Sequence, residues 1–395
     1  MKQKNWIILL IVTLLSSHPL QAQIGEEPEY FSVPFIQSLM TKVSNWQLEN
    51  LLYESSNGYD NIQVIRKDGW IRAVLYLGIY ASYQTTGNKK YLQECIDFAE
   101  NNHWKLGGIP RNADNQAVAQ LYLELYGIRR EERMIEDIRA QLDDMFQNPS
   151  RGSDVGWSKQ NWSWSDALFM APPVMAKLYR YTNDTKYLDL LDMYYWESVD
   201  RLFDKEDHLF YRDNRYFYTK GGKAQTQSGK KVFWSRGNAW VIGGLVRILN
   251  DLPENHKNYD RYMTLYKQMA RRLLELQQID GLWRSSLLDP WQFPEKETSG
   301  SSFICYAFAT GLNNGWLDEE SYKIPTMRAW QALTECVQPD GKLGWVQPVG
   351  HDPQHVKSSD TMEYGVGAFL LAAREIYKMS FLDKVGKRYR EDSIY

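Results

Sequence analysis

Hydrophobic and polar positions follow one repeated unit along this chain. Each unit opens with polar or aromatic residues beside a Gly or Asn and continues with a long run of small and apolar residues. It then turns at a Gly, Asn or Asp and ends in a charged amphipathic stretch. In the first unit Trp70, Val74, Leu77 and Ala81 recur at i, i+4, i+7 and i+11, which is helical spacing. Each unit therefore predicts a helical hairpin, with one helix buried on most sides and one that faces solvent.

Six such units follow one another. The predicted buried helices are Arg72–Gln84, Ala117–Tyr126, Ala167–Tyr181, Ala239–Leu249, Phe303–Leu312 and Glu363–Tyr377. Two turns, Thr86–Leu92 and Thr182–Leu188, are nearly the same sequence, and both place Gly or Asn where a helix ends in a left-handed residue. The repeat predicts an all-α fold in which an inner ring of helices is enclosed by an outer ring.

The second helix of each unit carries its charges on one face, as in Glu131–Met145 and Arg261–Gln277. The sixth buried helix is followed only by a short tail, so Pro34–Trp46 is the segment expected to close the ring. Strands do not alternate with helices, and no linker rich in Pro, Gly or Ser interrupts the units. Residues 23–395 are therefore predicted to form a single domain.

The N-terminus has the layout of a secretory signal peptide. Met1–Lys4 is basic, Trp6–Leu15 is nearly all apolar, and the segment up to Ala22 ends in a small residue. The apolar run is too short to span a membrane, and no Cys follows it to carry a lipid anchor. We expect cleavage of residues 1–22 near Ala22 and export to the periplasm or beyond the cell, with no membrane insertion of the mature chain.

Composition narrows the classes of partner. The net charge is −3, so nothing favours nucleic acid or anionic lipid. Cys95, Cys305 and Cys336 lie in apolar helical stretches and are interpreted as buried hydrophobes, with a Cys305–Cys336 disulfide as the alternative. The 15 Trp and 26 Tyr residues pair apolar faces with polar atoms, as sugars do. This content suits a carbohydrate site, although large helical folds also use aromatic residues to fill the core.

The predicted inner helices run parallel, so their N-termini gather at one mouth of the ring. Unpaired N–H groups and the positive ends of helix dipoles favour an anion there, such as a uronate carboxylate. The residues that open these helices are therefore the site candidates: Trp70, Asp114, Asp166, Arg236, Ser299 and Thr361.

Two aspartates are candidate acids or bases. Asp166 follows Trp164 and precedes an apolar run that ends in Pro172-Pro173, a pair that predicts a late helix start or a kink. A carboxyl group in apolar surroundings is suited to donate a proton near neutral pH. The alternative is an Asp that only favours the helix dipole. Asp114 has the same two interpretations, with an N-cap as the plainer one.

Trp234, Arg236 and Trp240 bring a cation and two aromatic rings to one helix start. Arg binds a carboxylate through two parallel hydrogen bonds, and Trp stacks on a sugar ring. The alternative is an Arg that is stacked between aromatic rings for structural reasons.

No metal or cofactor is predicted. The residues His351, Asp352, His355 and Asp360 form a loose cluster whose spacing is poor for a metal, so a solvated loop is favoured. A phosphate-cradling loop, a nucleophile elbow and zinc-type Cys/His spacing are all missing from the sequence.

Four motifs make the chain resemble glycoside hydrolase family 105, the unsaturated rhamnogalacturonyl hydrolases, which are related to the unsaturated glucuronyl hydrolases. The motifs are Trp164–Met170, Trp234–Trp240, Glu297–Ser301 and Gly365–Ala372, and the resemblance covers nearly all of the mature chain. It implies an (α/α)6 barrel of six inner and six outer helices.

The resemblance also implies the chemistry. The substrate is an oligosaccharide whose non-reducing end is an unsaturated uronic acid left by a polysaccharide lyase. An Asp donates a proton to C4 and activates water toward C5, and the resulting hemiketal opens and releases the sugar. The motifs place this role on Asp166 and a second carboxylate on Asp114. The residues that would line the subsite for the unsaturated ring, without metal or cofactor, are Trp164, Met170, Trp234, Arg236 and Trp240.

One position departs from the family pattern. Where members often have a His after a Tyr, this chain has Arg212 after Tyr211. The preferred sugar is therefore open, and Arg212 is hypothesised to bind an additional anionic group such as a carboxylate or a sulfate. Other functions also remain open: an inverting glycosidase using Asp114 and Asp166, an epimerase-like isomerase, for which paired histidines are not evident, and a glycan-binding barrel without activity.

Overall fold

Helices pair along the chain in the order that the hydrophobic pattern predicts. The computed structural model describes residues 28–56, 62–109, 111–149 and 162–392, and the predicted signal peptide at residues 1–22 lies outside these ranges. Within them, no helix is long and apolar enough to cross a membrane.

Six inner helical segments form a closed ring. They are α2 (Trp70–Thr86), α4 and α5 (Ala113–Gln116, Val118–Arg129), α7 and α8 (Ala167–Met170, Pro172–Thr182), α10 (Ser235–Asp251), α12 (Thr298–Asn313) and α14 (Glu363–Asp392). Each packs against the next, from α2 to α5, α8, α10, α12 and α14, and α14 packs back against α2. The predicted inner ring is therefore confirmed.

The outer helices complete an (α/α)6 barrel. They are α1 (Val33–Glu49), α3 (Lys89–Asn101), α6 (Glu136–Gln147), α9 (Lys186–Leu202), α11 (Tyr259–Leu276) and α13 (Glu319–Thr334). Most pack on the inner helix that precedes them, and α6 packs on α9. Helix α1 contacts both α14 and α2, which confirms that the N-terminal segment closes the outer ring.

Short elements connect the helices. The two antiparallel strand pairs are β1 with β2 (Glu54–Ser56, Ile62–Val64) and β3 with β4 (Phe203–Asp204, Leu209–Phe210). Single 3₁₀ turns cover Glu29–Phe31, Glu132–Met134 and Asn214–Tyr216. The predicted helix Glu131–Met145 is therefore wrong at its start, because a 3₁₀ turn precedes α6 and the α-helix begins only at Glu136.

Glycine, asparagine and proline end or begin helices at the positions that the sequence predicts. Gly87 and Asn183 end α2 and α8 in the left-handed conformation, with φ of 71° and 55°. Helix α8 starts at Pro172, because Pro lacks the N–H that a continuing helix requires. The three cysteines are buried and free, so their interpretation as hydrophobes is confirmed and a Cys305–Cys336 disulfide is excluded.

Close backbone contacts set the diameter of the inner ring. A Cβ placed on Gly367 of α14 would lie 2.1 Å from the carbonyl oxygen of Val74 in α2, and one on Gly244 of α10 would lie 2.2 Å from that of Leu168 in α7. Aromatic rings fill the interior, where Trp240 lies 4.9 Å from Phe169 and 4.5 Å from Phe303 between ring centroids. Glycine is therefore required where two inner helices meet without intervening side chains.

A buried ion pair joins the first and last inner helices. Arg72 Nη1 lies 2.6 Å from Oε1 of Glu363, and that oxygen also accepts from the N–H of Leu52 at 2.7 Å. Arg72 donates in turn to the Leu52 carbonyl at 2.6 Å. Burial raises the pKa of Glu363 to about 7, although the positive charge of Arg72 opposes the shift. The junction therefore holds a carboxyl group that titrates near neutral pH.

We expect Gly367→Ala to lower the free energy of unfolding by roughly 1–3 kcal/mol, because the new methyl group overlaps the Val74 carbonyl. Thermal or urea unfolding measures this. Gly108→Ala is the matched control, since its Cβ would meet only the end of the Arg66 side chain, at 3.7 Å. Equal destabilisation by both substitutions would contradict the close-packing argument.

We expect Glu363 to make stability depend on pH. The folded carboxyl group, with a pKa of about 7, binds its proton more tightly than the unfolded one, whose ordinary value is 4.5. The free energy of unfolding should therefore fall as pH rises through this interval. Glu363→Gln should remove this part of the slope, which is measured as the difference in Tm between about pH 5 and about pH 8. The same slope in both proteins would refute the assignment.

Candidate active site

The N-terminal ends of the inner helices meet at one mouth of the barrel, as predicted. Trp70 at the start of α2 stacks on Tyr364 at the start of α14, with ring centroids 5.1 Å apart. Arg236 in the first turn of α10 reaches both Tyr364, 4.8 Å from the ring centroid, and Ser299 of α12, whose Oγ is 3.4 Å from Nη1. Side chains from α2, α10, α12 and α14 thus converge here.

Asp166 lies at this mouth immediately before α7, and 9% of its surface is exposed. Its Oδ2 lies 3.3 Å from Nε of Arg212 and accepts from the Ser165 hydroxyl at 3.3 Å. The N–H of Ser165 donates to the Arg212 carbonyl at 2.8 Å, which fixes the two segments to each other. The expectation of apolar surroundings for Asp166 is therefore wrong on this side, because a guanidinium group contacts the carboxylate.

Arg212 belongs to a row of alternating charges. Its Nη1 lies 2.7 Å from Oδ2 of Asp213, and Arg215 donates to both oxygens of the same carboxylate, at 2.9 and 2.8 Å. Burial would raise the pKa of Asp213, but the two guanidinium groups outweigh it and hold that pKa below its ordinary value. Burial likewise opposes the charge of Arg212, yet Asp166 and Asp213 raise its pKa overall. The sequence did not indicate Asp213, which forms an ion pair with Arg212 and so holds the guanidinium group that contacts Asp166.

Asp114 lies in the first turn of α4, which packs against α7. The N-cap interpretation of Asp114 is wrong, because the capping side chain is Asn112, whose Oδ1 accepts from the Asp114 N–H at 2.9 Å. The Asp166 side chain does not cap its helix either. The structure therefore brings the two aspartate-bearing helix starts together without using either carboxylate as a cap.

Arg236 is stacked between aromatic rings, 4.4 Å from the Trp234 centroid and 4.8 Å from that of Tyr364. Only 1% of its surface is exposed, and it donates to the carbonyls of Gln347 at 2.8 Å and Pro348 at 2.9 Å. This geometry matches the structural alternative for Arg236. Its predicted role as a carboxylate ligand stays a prediction.

The remaining residues that were predicted to line the subsite are all buried: Trp234, Trp164, Met170 and Trp240. Their exposed fractions are 2%, 4%, 1% and 0%, so they present little or no surface to a sugar as they stand. Trp240 lies within ring contact of Trp70, Phe169 and Phe303. Their direct contact with substrate stays a prediction. Trp240 and Trp234 pack instead against Trp70 and Arg236 at the mouth.

The segment before α14 contributes residues that periodicity did not reveal. Gln347 accepts from Trp234 Nε1 at 3.0 Å and donates to the carbonyl of Asp352 at 2.8 Å. Tyr364 stacks on Arg236 and lies three positions after Thr361. The sequence had predicted Thr361 as a site residue at this helix start, and so had indicated the region but not Tyr364 itself. Gln347 lies in an irregular segment with no hydrophobic period, and no sequence signal marked it.

The two histidines of the predicted loop cluster, His351 and His355, contact different parts of the protein. His351 Nδ1 lies 2.7 Å from the Tyr216 hydroxyl, and burial together with Arg215 and Arg212 lowers its pKa. The side chain of His355 instead meets Glu295 at 2.9 Å and is mostly exposed. His351 therefore lies beside the charged row, where the sequence had favoured a solvated loop.

One acidic group among the described residues has metal-type ligand spacing. Asp204, Glu206 and Asp207 place carboxylate oxygens within 4.8 Å of one another. Lys231 Nζ lies 2.8–2.9 Å from all three, so an internal cation already balances them. This cluster lends no support to a metal centre.

Comparison with known proteins shows which family this chain resembles in sequence and in fold. Residues 37–380 match Glycosyl Hydrolase Family 88. A curated relative from Formosa agariphila, an unsaturated 3S-rhamnoglycuronyl hydrolase, is 36% identical over 353 residues, covering 87% of this chain and 91% of that protein. A solved glycosyl hydrolase family 88 structure from Bacteroides vulgatus is 32% identical with a TM-score of 0.78, covering 88% of this chain and 99% of its own.

A further solved structure is that of a protein named as a polysaccharide lyase. It is also 32% identical, with a TM-score of 0.78, and the match covers 88% of this chain and 98% of that one. All three relatives span almost the whole barrel. The family match extends over most of the chain and reaches every inner helix. The chain belongs to glycosyl hydrolase family 88.

Proposed function

We propose that this enzyme removes a terminal 4,5-unsaturated uronic acid from oligosaccharides that polysaccharide lyases have produced. The observation that carries the proposal is the likeness, over 87% of the chain, to a relative named for hydrolysis of unsaturated rhamnoglycuronyl groups. The mouth of the barrel supports the proposal, because Asp114 and Asp166 lie there at the starts of two adjacent inner helices, beside aromatic residues. Within family 88, the four sequence motifs favour the subgroup that resembles glycoside hydrolase family 105.

The reaction is hydration of the C4=C5 double bond. A carboxylic acid gives its proton to C4, water adds its oxygen to C5, and the proton lost by that water returns to a carboxylate. The product is a hemiketal at C5. Opening of the hemiketal breaks the bond to the ring oxygen and leads to release of the neighbouring sugar with its hydroxyl group restored.

Asp166 is proposed as the acid and base of this sequence. Both polar contacts of its carboxylate are made to Oδ2, from Arg212 and Ser165, and no described residue forms a hydrogen bond or ion pair with Oδ1. Oδ1 is thus the oxygen assigned to the substrate or the water. Arg212 places a positive charge beside the carboxylate that remains after proton donation. Asp114 is proposed as the second carboxylate, on the neighbouring helix start.

The proposal also covers the location of the enzyme and the identity of its substrate. The basic and apolar layout of residues 1–22 supports secretion of the mature domain, residues 23–395, where lyase products are formed. The name of the relative from Formosa agariphila supports an unsaturated uronyl group linked to a 3-sulfated rhamnose as the substrate. An anionic sugar of this kind agrees with the excess of cationic side chains between residues 212 and 231, where six cationic residues accompany a single acidic one.

A lyase is the second candidate, because one relative is named as a polysaccharide lyase. A lyase would form the C4=C5 double bond by elimination, whereas the proposed enzyme consumes it. The two reactions therefore change the ultraviolet absorbance of the double bond in opposite directions. An inverting glycosidase would act on saturated glycans without changing this absorbance.

We expect wild-type enzyme to remove this absorbance from lyase-generated unsaturated disaccharides, and Asp166→Asn to reduce the rate by about a hundredfold or more. The reason is that an amide cannot donate the proton to C4. Stopped assays with product identification by mass spectrometry would measure both the rate and the addition of one water.

Asp200→Asn is the matched control, because Asp200 lies on outer helix α9 with 65% of its side chain exposed. It should retain wild-type activity. Undiminished activity in Asp166→Asn would refute the assignment of the acid. A rise in absorbance on an uncleaved polysaccharide would favour the lyase, and no change with any unsaturated oligosaccharide would reject the proposed function.

A further inference from the structure

A recess of about 290 Å³ lies beside the candidate active site, with Arg215 among its lining residues. Its walls come from three stretches of chain that precede the inner helices α10, α12 and α14. Charged or polar lining residues include Arg215, Lys223, Ser286 and Asp352, and Phe293 contributes an aromatic face. None of these residues belongs to the proposed acid–base pair.

Two separate chains of contacts join this recess to Asp166 and its neighbours. On one side, Arg215 is bonded to Asp213, which is bonded to Arg212, which contacts Asp166. On the other side, the carbonyl of the lining residue Asp352 accepts from Gln347, which in turn binds Trp234. The recess is therefore connected to the site on two sides, through Arg215 and through Asp352.

The local charge of this region is opposite to that of the whole chain. Between residues 212 and 231 there are six cationic side chains and a single acidic one, although the protein carries a net charge of −3. Arg212 and Lys231 are neutralised by carboxylates of the protein itself. Lys223, by contrast, is exposed and makes no ion pair with any described residue, so its charge is available to a ligand.

A buried hydroxyl group gives an independent sign of a ligand. Ser286 is 0% exposed and lines the recess, yet its Oγ has no hydrogen-bond partner among the described residues. A buried polar atom without a partner costs free energy, which a bound acceptor would recover. The recess thus offers a free ammonium group on its rim and an unused hydroxyl donor in its wall.

We propose that this recess binds a sulfate ester carried by the sugar adjacent to the unsaturated uronic acid, with Lys223 and Ser286 as its ligands. The inference rests on the proposed function and assigns the anionic group to this recess rather than to Arg212, whose guanidinium already contacts two carboxylates. A sulfate ester presents acceptor oxygens in several directions, so donors from different walls can bind it together. Lys223 and Ser286 are specificity-determining residues in this assignment, and Asp166 performs the chemistry.

The test compares two unsaturated uronyl-rhamnose disaccharides, with and without the 3-sulfate, on the full-length mature enzyme. Lys223→Ala and Ser286→Ala should each lower kcat/KM for the sulfated substrate by about tenfold, mainly through KM, because each loses a charge-assisted contact. Both variants should leave kcat/KM for the unsulfated substrate unchanged. The wild-type preference for the sulfated substrate should accordingly decrease.

Lys220→Ala is the matched control, since Lys220 is also exposed, lies three residues away and does not line the recess. It should behave as wild type on both substrates, and thermal unfolding should show that all variants are folded. Equal loss on both substrates, no loss in either variant, or no wild-type preference for sulfate would overturn the recess assignment while the proposed function stands. If wild-type enzyme consumes neither disaccharide, the proposed function fails and the recess assignment fails with it.

Discussion

Closure of the inner ring is the constraint on which the other features depend. Six parallel helical segments can meet side by side only where the backbones approach closely, and glycines such as Gly367 and Gly244 provide those approaches. The parallel arrangement gathers every inner N-terminus at one mouth. The barrel therefore gathers the positive ends of the inner helix dipoles before any catalytic side chain is considered, and substrates with a carboxylate suit such a site.

Most of the cations at this mouth are used by the protein itself. Arg236 donates to two backbone carbonyls between aromatic rings, and Arg212 contacts Asp166 and Asp213. Fixing these groups in advance means that little side-chain entropy is lost when a substrate binds. The cost is that they have few donors left for the ligand. Anion recognition then falls to residues such as Lys223, outside the preorganised row.

Periodicity predicted the fold well, because the spacing of apolar residues indicates which helices are buried. The six inner helices and the closure by α1 follow from that spacing. The break at Pro172 follows from the N–H that proline lacks. The site was predicted in part. Asp114 and Asp166 stand at helix starts, which sequence can mark. Gln347 and Tyr216 contact partners more than 100 positions away, and no local pattern reports such contacts. Asp213 binds its neighbours Arg212 and Arg215, but its link to the site depends on the distant contact between Arg212 and Asp166. The surroundings of Asp166 were misjudged for the same reason, since Arg212 approaches from another segment.

The junction between α2 and α14 also bears on how the protein reaches its native state. The Arg72–Glu363 pair joins residues 291 positions apart, and α14 packs between α2 and α12. Contacts so distant in sequence form late, because the entropy of closing a long loop must be overcome first. Until α14 docks, the apolar flanks of α2 and α12 stay open to water and to other chains. A chain that is threaded through a translocation pore from its N-terminus would therefore finish folding only after nearly all of it had crossed.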